Sequence, residues 1–180
     1  SGANALVLGL SGGLDSTLAF LVCLEALEKL ERSAEQLHAL TLPGPATSDH
    51  TLTSARQLAQ AGGVRLKEIS IRAAVRQHLE DLEHGGRDDI VFENAQARER
   101  TQVLFNYGNQ VDGIVVGTGS LSELALGWCT YNADHMASAA ACSWTSRRSP
   151  GSAGFRRKTC QGPGYSRRTA PGREPLKFRR

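Results

Sequence analysis

Apolar positions along the first 120 residues switch repeatedly between short unbroken runs and a spacing near 3.6. Leu6 to Leu10 is an apolar run of the kind buried as a central strand, and after it Leu18, Leu21, Val22, Leu24 and Leu27 recur with helical spacing. The pattern predicts a strand, a tight loop and a helix. Gln36 to Pro43 reads as a second strand, stopped by Pro43. A helix follows over the stretch from Ser48 to Gly63, with Ser48 or Asp49 as its N-cap and Gly62 past its end. Val64 to Ile71 reads as a third strand, leading into an amphipathic helix that carries Ala74, Val75, Leu79 and Leu82. A loop begins at His84, a helix runs from Glu93 to Gln110, and Gly113 to Gly119 is another buried strand. Strands alternating with helices imply an α/β fold with a doubly wound parallel sheet, because crossover helices must cover both faces. Ligands in such sheets bind beyond the carboxyl ends of the strands. Ser11 to Ser16 and Thr118 to Glu123 each follow a strand, so the two loops are expected to share one site.

The first of these loops concentrates small and polar residues. In "SGGLDST", Ser11 to Thr17, Gly12 and Gly13 let the backbone turn sharply and clear side chains from the path of a ligand, while Ser11, Ser16 and Thr17 add hydroxyl donors. The N–H groups opening the next helix and its dipole attract an anion, worth roughly 0.3–1 kcal/mol per charge. Turn-making and capping alone would explain one serine or the aspartate, but a helix needs one cap and here several candidate phosphate ligands stand together. Asp15 would repel a phosphate unless a cation lay between them. It therefore implies Mg²⁺, commonly held by one or two carboxylates together with phosphate oxygens. The Gly-Lys-Ser/Thr ending of a Walker A loop is absent.

"SGGLDST" resembles the pyrophosphate loop of the N-type ATP pyrophosphatases, which activate a carbonyl or carboxylate by adenylation. Two later stretches, "ENAQARERTQVL" from Glu93 and "GTGSLSELALGWCTYNADHM" from Gly117, resemble the synthetase domain of the NAD synthetase family, in the form usually fused behind a glutamine amidohydrolase domain. The resemblance runs from about Ala5 to Met136. It implies an adenine nucleotide alpha hydrolase-like fold and ATP-dependent amidation of deamido-NAD to NAD through an adenylated intermediate, with release of AMP and pyrophosphate. It also implies that Gly9, Leu10, Ser11, Gly12, Gly13, Leu14, Asp15, Ser16 and Thr118 bind ATP. Asp15 and Glu123 would be the catalytic acids and hold Mg²⁺. Asn94, Arg98, Glu123, Trp128, Cys129, Thr130, Tyr131 and Asp134 would bind deamido-NAD. Arg98 and Arg100 also admit a reading as solvated helix charges, and Trp128 one as core. The expected partners are deamido-NAD, ATP and either ammonia or a glutaminase domain, with a homo-oligomer once the family's C-terminal elements are present.

Composition changes this picture at one end. Residues 137–180 hold eleven Lys/Arg against one acid, a net of +10, which leaves residues 1–136 at −7 within the chain's +3. Apolar periodicity vanishes there, and Gly, Pro, Ser and Arg dominate, a composition that buries too little surface to order itself. The valine-proline-lysine-threonine stretch and pocket-completing helices that the family supplies at this point are absent. Hence the expected organisation is a C-terminally incomplete synthetase domain over 1–136 and a basic, disordered or non-native tail over 137–180. Two rival readings stay open: a truncated or frame-shifted domain that binds ATP without turnover, and a tRNA-modifying ATP pyrophosphatase whose Arg-rich tail holds nucleic acid. Cys23, Cys129, Cys142 and Cys160 show no metal-ligand spacing, the five histidines form no HExxH pair, and no run of apolar residues suggests a membrane span or a secretory leader. A cytoplasmic setting is the corresponding expectation.

Overall fold

The computed structural model describes residues 2–120, 123, 126, 129–133 and 135–140. Five strands form one parallel sheet: β1 (Ala5–Gly9), β2 (Leu37–Thr41), β3 (Leu66–Glu68), β4 (Gly113–Gly117) and β5 (Ala139–Ala140), in the spatial order β3-β2-β1-β4-β5. Along β1 the side chains divide by parity. Leu8 packs into a core with Ala19, Phe20, Cys23 and Leu27 of α1 (Leu14–Lys29) and with Ala55 and Ala59 of α2 (Asp49–Ala61). Val7 packs on the opposite face with Val75 and Leu79 of α3 (Arg72–Asp81) and Ala95 of α4 (Ile90–Gln110). The sheet is therefore doubly wound, as the alternation predicts. From β1 the chain runs outward through β2 and β3 with helices on one face, then returns through α3 and α4 on the other to enter β4 beside β1. The winding reverses between β1 and β4, which opens a crevice at their carboxyl ends.

Within this frame several elements differ from the periodic reading. In α1 the buried stripe is Ser16, Ala19, Phe20, Cys23 and Leu27, whereas Leu21 lies exposed. The stripe combines Phe20 and Leu27 with the small residues Ser16, Ala19 and Cys23 packed tightly on the sheet side. The third strand contracts to Leu66–Glu68. Ile71 leaves it to become the buried residue before α3, its N–H donating to the Pro43 carbonyl at 3.1 Å. In α3, Val75 and Leu79 are buried while Ala74 and Leu82 face outward. The helix expected from Glu93 starts at Ile90, because Asp89 caps it by accepting the Val91 and Phe92 N–H groups at 2.9 and 3.3 Å. Ser48 caps α2, as anticipated, through the Thr51 N–H. The sheet also continues past Met136: Ala139 and Ala140 pair with Val116 and Gly117, and the Ser138 N–H donates to the Val115 carbonyl at 2.8 Å. Residues 141–180 lie outside the described residues. Among those described, no helix is long and apolar enough to cross a membrane.

Candidate nucleotide site

The crevice at the β1/β4 reversal is a cleft of about 510 Å³. Its floor is the loop after β1, and the loops after β2 and β4 form its flanks. Gly12 has φ +83, and a Cβ there would lie 2.4 Å from the Thr51 carbonyl oxygen, so only glycine seats this loop against the start of α2. Ser16 fixes the loop from within. Its hydroxyl, almost wholly buried, donates to the Gly13 carbonyl at 3.0 Å, accepts the Ser11 N–H at 3.3 Å and lies 3.0 Å from the Ser11 hydroxyl. Thr17 adds a second hydroxyl bond to the Gly13 carbonyl at 2.8 Å. Gly13 caps α1 with no side-chain bond to its opening N–H groups, so these lack the usual internal competitor for an anion in the cleft.

Of the residues expected to bind ATP, Gly9, Leu10, Ser11, Gly13, Asp15, Ser16 and Thr118 line this one cleft, with Glu123. Gly12 turns toward α2 instead, and the Leu14 side chain is 83% exposed outside it. Glu123 has a structural engagement that the sequence reading passed over. Its Oε2 accepts the Ser120 N–H at 2.7 Å while its own N–H donates to the Ser120 hydroxyl at 3.2 Å, a capping box whose Ser-x-x-Glu spacing is legible in the sequence. One carboxylate oxygen remains for other work. Asp15 and Glu123 are the two carboxylates on the cleft wall, and no group of three or more His, Cys, Asp or Glu able to hold a metal occurs among the described residues. That donor set fits Mg²⁺ shared with phosphate oxygens and does not fit a cage made of protein alone.

Of the residues assigned to the second substrate, Glu123 lines the cleft, while Asn94, Arg98, Cys129, Thr130 and Tyr131 lie outside its lining. Asn94, buried on α4, accepts the Thr130 hydroxyl at 2.8 Å, and Arg98, one turn on, donates from Nε to the Tyr131 carbonyl at 3.3 Å. Tyr131 is largely exposed and Cys129 half-buried. Trp128 and Asp134 lie outside the described residues. Arg100, for which a solvated helix charge is one open reading of the sequence, lines the cleft and donates from Nε to the Leu42 carbonyl at 3.1 Å. Gln96 carries no signal in the sequence. It is buried and accepts the Ala46 N–H at 3.1 Å. Cys23, buried in the core with its thiol pushed up to about 11 by desolvation, stands apart from this chemistry.

The family model described as NAD synthase matches residues 1–143. A glutamine-dependent NAD(+) synthetase from Mycobacterium tuberculosis is 47% identical over 131 residues, covering 70% of this chain and 19% of that protein. An NH(3)-dependent NAD(+) synthetase from Halobacterium salinarum is 32% identical over 134 residues, covering 74% and 48%. A solved glutamine-dependent NAD+ synthetase from Acinetobacter baumannii, in complex with adenosine diphosphate, superposes with a TM-score of 0.71 at 32% identity, covering 78% of this chain and 26% of that one. The chain thus spans from about a fifth to about half the length of these relatives.

Proposed function

On the premise that this chain belongs to the NAD synthase family, we propose that it supplies the ATP-binding and adenylating part of an enzyme that amidates deamido-NAD to NAD. The observation that carries this reading is the gathering of the glycine loop, Asp15, Thr118 and Glu123 around one cleft, with the Asn94 and Arg98 cluster beside it. In this reading ATP lies over the loop after β1, its phosphates on the opening N–H groups of α1 and the Ser11 hydroxyl. Asp15 and the free oxygen of Glu123 would hold Mg²⁺, which when bound offsets the charge of the departing pyrophosphate. Asn94, Arg98 and the loop from Trp128 to Asp134 would orient deamido-NAD so that its nicotinate carboxylate attacks the α-phosphate in line. Ammonia, free or from a glutaminase partner, then displaces AMP and leaves the amide. No enzyme nucleophile is required. Holding two anions in register is the main task, and orientation of this kind is worth about 7–11 kcal/mol in favourable model systems.

Residues 1–136 would then be one functional unit, followed by a basic extension. A homo-oligomer and a cytoplasmic setting belong to the same reading. The test is exchange of labelled pyrophosphate into ATP in the presence of Mg²⁺ and deamido-NAD without ammonium. Exchange that requires deamido-NAD supports adenylation by this chain. Binding of MgATP with no exchange favours a domain that holds nucleotide without turnover, and exchange dependent on RNA would favour the tRNA-modifying reading.

A further inference from the structure

The cleft flank formed by the loop between β2 and α2, residues 42–48, is held from behind. Its carbonyls at Leu42, Pro43 and Gly44 accept, in order, from Arg100 Nε at 3.1 Å, the Ile71 N–H at 3.1 Å and Arg72 Nε at 3.2 Å. The Ala46 N–H donates to Gln96 Oε1 at 3.1 Å, and Gln96 Nε2 donates to the Phe92 carbonyl of its own helix at 3.1 Å. The fit around Gly44 is tight: a Cβ there would lie 2.6 Å from Gln96 Oε1 and 3.0 Å from an Arg100 terminal nitrogen. Pro43 and Pro45 have no N–H to offer, so these bonds account for much of what the loop's backbone can make. Ala46 and Thr47 face the cleft, whereas Gln96 and Arg72 do not line it.

A single helix carries half of this clamp. Asn94 and Arg98 reach the Thr130–Tyr131 segment, and two residues further on, Gln96 and Arg100 reach the 42–47 loop. Two residues along an α-helix is a rotation of about 200°, so the pairs stand on opposite flanks of α4 and hold opposite sides of the site to one rigid reference. We propose that Gln96 and Arg72 are positioning residues for the bound nucleotide: they touch no substrate, and act by fixing the 42–48 loop as the flank against which ATP is seated. The proposal rests on the reading of the cleft as an ATP site.

Mutation separates this role from general support of the fold. Gln96→Met keeps side-chain volume but leaves the Ala46 N–H without its acceptor, and Arg72→Met removes one loop bond from an exposed side chain whose loss is tolerated if Gln96→Met does not fold. Each is expected to weaken MgATP binding by calorimetry by about tenfold while the affinity for deamido-NAD, held from the other flank of α4, stays at the wild-type value. Arg72→Lys, which keeps a donor, should retain wild-type MgATP affinity. Unchanged MgATP affinity in both methionine variants overturns the proposal, as does equal weakening of both ligands. A wild-type chain that binds no MgATP would instead overturn the ATP-site reading, and this inference with it.

Discussion

Asp15 stands in the first turn of α1, where its carboxylate lies beside the N–H groups proposed to receive phosphate. Asp15→Asn keeps the volume of the side chain and removes its charge. It is expected to abolish pyrophosphate release while the thermal melt stays superimposable on wild type, and wild-type turnover would take Asp15 out of the mechanism. Glu123 also closes a capping box with Ser120. Gln at that position still accepts the Ser120 N–H, so Glu123→Gln isolates the charge from the cap. The account predicts an intact fold with the Mg²⁺ optimum moved to higher concentration and turnover reduced at least about tenfold, given the worth of a charge on a metal site. If Glu123→Gln melts early instead, the cap is the residue's main contribution. The cap was readable as Ser-x-x-Glu, whereas the role of Gln96 was not: its partner Ala46 lies 50 residues away, and no local pattern marks a glutamine that faces an arriving loop.

At the scale of elements, period and punctuation located each α-helix and strand over residues 5–117 but not the short 3-10 helix at Ala34–Gln36, and packing set their edges and faces. The buried stripe of α1 is legible only in part: Leu27 lies in it and Val22 and Leu24 pack against its edge, but the periodic reading follows the leucines and so misses Phe20 and the small residues Ser16 and Ala19 that lie against the sheet. The start of α4 escaped it because the capping aspartate sits in an ordinary-looking "RDD" run. Asp89 accepts the Val91 and Phe92 N–H groups and bonds His84 Nε2 at 2.8 Å. Desolvation raises its pKa, but the bonds from Phe92, His84 and Val91 outweigh that and hold the carboxyl below its ordinary range. A lowered folded-state pKa means that the ionised form stabilises the fold above the unfolded value, near 3.9, and that this contribution is lost as pH falls through the folded value. Asp89→Ala should therefore lower the melting temperature by a constant amount near neutrality. The gap to wild type should begin to narrow below about pH 4 and go on narrowing as the pH falls through the folded-state value, and a gap that does not narrow in acid would mean the cap does not act through its charge.

For the whole molecule, the sequence places the change of character at Met136, yet the sheet reaches Ala140 and the family match reaches residue 143. Composition could not reveal this, because a two-residue strand of alanines has no period. Two truncations separate the boundaries. Ending the chain at 136 removes β5 and the Ser138 bonds to Val115 and should lower the melting temperature by several degrees, whereas ending it at 143 removes the whole of the +10 charge and should leave melting and MgATP binding unchanged. Equal melting of both would show that β5 contributes nothing.

The claim on which the rest depends is that this chain couples ATP cleavage to deamido-NAD. It is tested most directly by measuring pyrophosphate release from MgATP by the full chain with ammonium present, with and without deamido-NAD. The account predicts release that requires deamido-NAD and is matched mole for mole by NAD. Release at the same rate without deamido-NAD, or none while MgATP is bound, would contradict it.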